Sequence, residues 1–328
     1  METPIVSIEG LSVTFATESG KREVLRDVSF AVPAGEVVGV VGESGSGKSV
    51  TALAVMGLLG AQGSITTGRI MFDGQDLARL DAKAFQKIRG KRIGMIFQEP
   101  MTSLNPLLTV GFQVAEVLQA HLGMDAASAR AEVVKWFGRV GIPNPDRRFD
   151  EFPHALSGGM RQRVMIAMAM ACRPALLIAD EPTTALDVTI QAQILALMNE
   201  LRRDYGTSIL LITHDMGVIA RMSNRVVVMY AGEVVETGSV RDVLKAPEHP
   251  YTRLLLAAMP TARKRDAHLP FIPGTMPAPG NLPSGCRFHP RCPDVQPSCA
   301  QSEPALIDRA NGRSIRCPVA VGMAEEAR

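Results

Sequence analysis

One octapeptide constrains this chain more than any other stretch of it: Gly42-Glu43-Ser44-Gly45-Ser46-Gly47-Lys48-Ser49, followed by Val50. It fits G-x-x-x-x-G-K-[ST] and directly follows an apolar run, residues 37–41. Glycines at these positions let the backbone curl until successive N–H groups point inward at phosphate oxygens, and a helix opening near Lys48 adds its positive dipole end. Lys48 is then placed to reach the β- and γ-phosphates of a nucleotide, and Ser49 to ligate Mg²⁺. An ordinary glycine-rich turn is the plainer reading, and the strand before it and the helix after it weaken that reading.

Short apolar runs alternate with helix-period stretches over roughly the first 240 residues, which is how a mainly parallel sheet covered by helices reads from sequence. Residues 36–41, 93–97, 175–179 and 208–212 are the best buried strands. Two hairpins are expected, one at Asp73-Gly74 and one joining 225–230 to 233–236 across Ala231-Gly232. From about 100 to 165 the pattern turns helical, with 114–121 and 126–140 as its clear segments, so a helical insertion is expected there.

Composition narrows the class. Of 328 residues 46% are apolar and 21% charged, so a packed core is expected. Lys and Arg number 35 against 33 Asp and Glu, with no long run of one sign, so nothing points to nucleic acid as a partner. The longest apolar stretches, 50–59 and 164–172, fall short of the roughly 20 residues of a bilayer span. The first ten residues lack the pattern of a secretory signal, so a cytoplasmic location is expected.

Two further constellations carry chemistry. The run 175–179 ends in Asp180-Glu181, and a buried parallel strand delivers such carboxylates to the edge of the sheet where phosphate loops open. There Asp180 suits Mg²⁺, and Glu181 is placed to polarise a water for in-line attack on a γ-phosphate. Alone, a strand ending in two acids is as often just a solvated end. The other is Ser157-Gly158-Gly159, an N-cap serine followed by two bare amides at a helix N-terminus, which suits an anion. A second anion site in one chain suggests that two chains share nucleotides.

A phosphate loop, Gln98 after a later strand, Leu156-Ser157-Gly158-Gly159, a strand ending in Asp180-Glu181, an Ala185-Leu186-Asp187 turn and His214 after the next strand occur in this order. Together they resemble an ATP-binding cassette (ABC) ATPase over about residues 4–256. The resemblance implies an α/β P-loop NTPase core with an antiparallel β subdomain and an inserted helical subdomain, here at about 100–165. It implies ATP and Mg²⁺ as cofactors, with Gln98 joining Ser49 and Asp180 at the metal. It also implies Ser157, Gly158, Gly159 and Asp187 facing the ATP of an opposing chain, and His214 holding the γ-phosphate and the attacking water. Phe15 would stack on adenine, or equally, next to Val13 and Thr14, be a core residue.

Residues 97–106, 156–167 with Met160-Arg161-Gln162-Arg163, and His249-Pro250-Tyr251-Thr252 are similar to the ATPase subunits of bacterial dipeptide, oligopeptide and nickel importers. That implies a peripheral protein on the cytoplasmic face of the inner membrane. Its partners would be a second, homologous but non-identical ATPase, two permeases and an external solute-binding protein. A soluble cassette acting on DNA or ribosomes is the rival class. Only 107 residues separate Ser49 from Ser157, too few for the long coiled coils of chromosome-organising cassettes.

Residues 257–328 read as a separate extension, because 11 of the 22 prolines lie between Pro260 and Pro318. Such a loop-rich tail needs a staple to be ordered. Cys286, Cys292, Cys299 and Cys317 are spaced by five, six and 17 residues, without a C-x-x-C knuckle, so spacing alone supports a metal only weakly. Some importers of this kind carry a [4Fe-4S] cluster here, and four thiolates suit one. Zinc and plain reduced thiols remain the alternatives.

Overall fold

The computed structural model describes residues 3–99, 103–184, 186–259 and 271–320. The first residues of the expected helical insertion, 100–102, and residues 260–270 and 321–328 of the proline-rich tail lie outside the described residues. The chain forms two compact units. One comprises Val32–Glu36 and Arg79–Ile212 with the residues before Val6; the other comprises Val6–Ala31, Val37–Ala78 and the chain from Thr213 onward.

The first unit is built on three parallel strands, Ile93–Ile96, Leu176–Asp180 and Ser208–Thr213, with Ile93 beside Leu176 and Leu176 beside Ser208. Every residue in them is buried, which is why they are continuous apolar runs and not alternating ones. The helix Gly158–Met170 comes so close to the first strand that a Cβ on Gly94 would sit 2.4 Å from the Ala169 carbonyl oxygen. The helical insertion is present as Val110–Leu122, Ala126–Arg139 and Pro145–Phe149. Thr109 and Asp125 cap the first two by accepting the N–H groups of Phe112 and Ser128. Val114, Leu118, Val133, Trp136 and Phe137 form their buried face.

The second unit holds two sheets. In one, Gly20–Val32, Val6–Thr17, Gly63–Phe72 and Gln75–Asp76 lie in that order, with Val6 opposite Phe72. In the other, Val37–Val41 runs parallel to Arg225–Tyr230, Val41 beside Val228, and Glu233–Ser239 returns antiparallel. Both expected hairpins are present. Each turns on a pair of positive-φ residues, Asp73-Gly74 and Ala231-Gly232, which matches the right-handed twist of the flanking strands.

The tail is part of this second unit. Ser314–Ile315 adds antiparallel to Glu233–Ser239, and Ile307–Asp308 pairs with it in turn, two short strands that the proline-rich sequence did not announce. Its expected staple takes the form of aromatic packing and buried arginines. Phe288 stands edge-on to Tyr230 and Tyr251, with ring centroids 5.0 and 5.4 Å away. Arg287 pairs with Glu23 and Glu233, Arg313 with Glu236, and Arg316 with Asp27.

Candidate functional site

In the second unit the strand Val37–Val41 leads straight into the glycine-rich loop. A Cβ on Gly42 would lie 2.2 Å from the Met229 carbonyl oxygen, and one on Gly47 2.6 Å from Leu25. Gly45 and Gly47 have φ of +83° and +100°, a region that side-chain-bearing residues avoid. Gly47 then caps the helix Lys48–Val55. The Lys48 ammonium folds back over the loop and donates to the carbonyls of Gly42 and Glu43 at 2.8 and 2.9 Å. Ser46 is fully buried, its N–H donating to the Glu43 carbonyl. Ser49 and Val50 are half-buried, and Ser44 is exposed at the loop's tip. A glycine-rich loop of this kind, with an ammonium over it and a helix N-terminus at its end, suits an anionic polyphosphate.

The same unit holds two of the other expected residues. Phe15 is half-buried on its strand, opposite Gly63, so its ring is not enclosed in the core. His214 is exposed directly after Ser208–Thr213. Asp215 next to it caps the helix Met216–Met222 by accepting from the Gly217 and Val218 N–H groups.

The first unit gathers the remaining residues. Asp180 ends its strand buried, 5% exposed, and Glu181 follows with a left-handed φ of 47°. Non-glycine residues take that conformation at a cost of about 1–3 kcal/mol, and it recurs at functional sites. The Glu181 N–H donates to the Ile212 carbonyl, which fixes where the turn leaves the sheet. Gln98 Nε2 donates to Glu181 Oε2 at 3.1 Å, and Thr184 Oγ1 donates to the same oxygen at 2.8 Å. Thr184 was not foreseen, since a threonine three residues past an acid carries no distinct signal. Ser157 caps the helix Gly158–Met170 through the Met160 N–H, and Asp187 caps Val188–Tyr205 through the Ile190 N–H. Ser157, Gly158 and Asp187 are exposed and Gly159 is half-buried, so both helix N-termini face solvent in a single chain. Gln98 and Asp180 of this unit carry an amide and a carboxylate oxygen, donors of the hard kind that Mg²⁺ takes, and Ser49 of the other unit carries a hydroxyl.

Residues 25–184 match the ABC transporter family, and residues 235–299 match the oligopeptide/dipeptide transporter C-terminal region. The chain is 48% identical over 313 residues to the dipeptide transport ATP-binding protein DppD of Escherichia coli, covering 95% of this chain and 96% of that protein. It is 48% identical over 314 residues to the oligopeptide transport ATP-binding protein AppD of Bacillus subtilis, with the same two coverages of 95% and 96%. The chain belongs to the ABC transporter ATP-binding family.

Like the other cassettes of that family, it is an ATPase. Among solved structures, it is similar to the ATP-binding cassette MJ0796, a dimer in a post-hydrolysis state bound to ADP and Pi. That match has a TM-score of 0.64 and 31% identity, over 72% of this chain and 99% of that one. It is also similar to cbiO1 of Clostridium perfringens, part of the transporter complex cbiONQ, with a TM-score of 0.64 and 28% identity over 75% and 92% of the two chains. No helix among the described residues is long and apolar enough to cross a membrane.

The four C-terminal cysteines of this ABC protein do lie near one another. The Cys286 N–H donates to the Cys299 carbonyl at 2.8 Å, and Cys299 and Cys317 pack with Ile315 and Val319, with Cys286 against them. All four are free thiols. Burial pushes the Cys286 and Cys292 thiols up to about 11. Among the described residues no three His, Cys, Asp or Glu side chains are arranged to hold a metal ion. The expected [4Fe-4S] cluster is therefore not supported by this arrangement, and neither is zinc; the order of the tail comes from the arginine pairs and Phe288 instead.

Proposed function

We propose that this chain is the ATP-hydrolysing subunit that energises import of peptides across a bacterial inner membrane through separate permeases. The observation that carries the reading is end-to-end similarity, at 48% identity, to proteins named for dipeptide and oligopeptide transport. Residues 1–256 would form the cassette, with its helical insertion at about 100–165, and 257–328 the extension.

In this reading the loop Gly42 to Ser49 with Val50 holds the phosphates of ATP, Lys48 moves from the Gly42 and Glu43 carbonyls onto the γ-phosphate, and Phe15 stacks on adenine. Ser49, Gln98 and Asp180 hold Mg²⁺, which when bound neutralises charge on the phosphates. Glu181 takes the proton of the attacking water, and His214 holds that water against the γ-phosphate. Gln98 reports on the nucleotide, since its amide also bonds Glu181. Ser157, Gly158, Gly159 and Asp187 serve the ATP of an opposing cassette, a role that their exposure supports. Closure on two ATP molecules, then hydrolysis and reopening, would alternate the permeases between states.

The partners proposed are a homologous, non-identical ATPase, two permeases and an external solute-binding protein, with this chain peripheral on the cytoplasmic face and no nucleic acid involved. Phe97, Leu107, Phe112, Leu122 and Phe152 are large apolar side chains left exposed in or beside the helical insertion, which suits a docked membrane partner. The test is uptake of labelled di- and oligopeptides and of nickel in cells lacking this chain, together with mass spectrometry of what co-purifies with it from membranes. Loss of peptide uptake, restored by the chain but not by Glu181→Gln, with two permeases co-purifying, is expected. Intact peptide uptake, or ribosomal or DNA-repair proteins in place of permeases, would overturn the reading.

A further inference from the structure

Glu43, the second residue of the phosphate loop, is held at three points. Its carboxylate takes both arms of Arg291, Nη1 to Oε2 at 2.8 Å and Nη2 to Oε1 at 3.0 Å. Its N–H donates to the Tyr251 hydroxyl at 2.9 Å, and its carbonyl accepts from Lys48. Arg291 is itself fixed. Its Nε donates to the Pro273 carbonyl at 2.6 Å, its arms reach the Ile272 and Gly274 carbonyls and the Tyr230 hydroxyl, and its side chain is 5% exposed. Burial alone would lower the guanidinium, but hydrogen bonds to Glu43 and Tyr230 outweigh it and raise it instead. Met276 of the same stretch of tail lies near the loop, 3.7 Å from where a Cβ on Gly45 would stand.

The ordinary reading of a glycine-rich loop is that its shape comes from its own glycines and the strand and helix at its ends. Here the C-terminal extension grips it through a two-pronged ion pair to Glu43, with Met276 close to Gly45. A fork-to-fork pair between a planar guanidinium and a carboxylate fixes orientation as well as distance, which a lysine cannot do. Holding a loop in its bound shape before the ligand arrives raises affinity by lowering the ordering cost of binding.

We propose that Arg291, assisted by Tyr251, is a positioning residue for the phosphate loop, so that the C-terminal extension sets the affinity of this ATPase for its nucleotide without touching it. The inference rests on the reading of the loop as the ATP site. Its signature is a change in KM for ATP with kcat nearly kept, because the groups assigned to the chemical step, Glu181 and His214, are untouched.

The test is equilibrium binding of ATP with Mg²⁺, and steady-state ATPase kinetics, on the 328-residue chain carrying Arg291→Ala, Arg291→Lys, Glu43→Gln, the Arg291→Ala/Glu43→Gln pair, Arg253→Ala or Lys48→Ala. Arg291→Ala should weaken ATP binding roughly tenfold, with kcat within about twofold. Arg291→Lys should recover only part of that, and the pair should be no worse than the worse single variant. Arg253→Ala breaks the exposed pair with Asp294 in the same region and should leave binding unchanged. Melting without nucleotide separates a folding defect from a binding one. If Arg291→Ala does not fold, Arg291→Lys and Glu43→Gln carry the test alone. Unchanged affinity in the folded Arg291 variants, additive losses in the pair, or a fall in kcat at constant KM would overturn the proposal. Lys48→Ala keeps the two readings apart: if it leaves ATP binding intact the site reading itself fails, and if it alone abolishes binding only the role of Arg291 fails.

Discussion

Gln98 and Glu181 are 83 residues apart in sequence and joined by one hydrogen bond, Nε2 to Oε2 at 3.1 Å. The two residues stand just past neighbouring parallel strands, in register at Ile96 and Ala179, so the sheet itself brings them together. A residue assigned to sensing nucleotide thus touches the residue assigned to activate water.

The first prediction follows from that pair. Glu181→Gln keeps the size of the side chain and loses the base, so turnover should fall about 10²- to 10⁴-fold while ATP binding persists. The variant should be trapped with ATP bound, seen as nucleotide that stays with the protein through size exclusion. Turnover within a few-fold of the original chain would remove Glu181 from its role. Thr184→Ala, which removes one donor from Oε2, should give a milder loss of about tenfold or less.

A second prediction concerns what orders the tail. Phe288 is 1% exposed and edges onto both Tyr230 and Tyr251, whose own centroids are 4.8 Å apart. Phe288→Ala removes the tail's member of this trio and should cost about 3–5 kcal/mol in urea unfolding. Protease should then cut first within 271–320. A variant with unchanged midpoint and unchanged protection would show that the arginine pairs suffice.

Much of this was legible in the sequence because the strands of the nucleotide core are buried along their whole length, and continuous apolar runs are hard to mistake. The runs at 93–97, 175–179 and 208–212 each fell within one residue of a strand end. Turn chemistry located the hairpins for the same reason, since Asp73-Gly74 and Ala231-Gly232 sit where φ must be positive. The tail was illegible because its order is non-local. Arg291 is 248 residues from Glu43 and Arg316 is 289 from Asp27, and no periodicity marks an arginine that pairs at such separation. The cysteines drew attention to this region by their spacing, whereas the anchors were the residues beside them, Arg287, Arg291 and Arg316.

The thiols give a third prediction. Burial first, and then the neighbouring cysteines among smaller contributions, lift Cys286 and Cys292 from 9.0 to about 11. At pH 8 their thiolate fraction is then roughly a hundredfold below that of an ordinary cysteine, and the thiolate is the nucleophile. Iodoacetamide should therefore alkylate them slowly in the folded chain, with a rate still rising at pH 10, and at ordinary speed in urea. Fast alkylation at pH 8 without denaturant would mean that these side chains are more open or more ionised than they stand here.

The last prediction concerns acid. His249 is 1% exposed, its backbone N–H donates to Glu236, and its Nδ1 accepts the Tyr251 N–H at the start of the helix Pro250–Ala257. Burial, with help from the Arg253 charge, lowers it from 6.5 to about 3. The fold therefore holds the neutral ring, so this contribution to stability is fully present above pH 6.5 and is lost as pH falls toward 3, by up to about 1.4 kcal/mol per unit. Carboxylates weaken the fold over the same range, which makes the comparison with a non-titrating cap the decisive one. His249→Asn can still accept the Tyr251 N–H but has no proton to gain. It should be less stable than the original chain at pH 7.5 and lose less between pH 6.5 and 4. Parallel pH profiles for the two would show that His249 does not titrate against the fold.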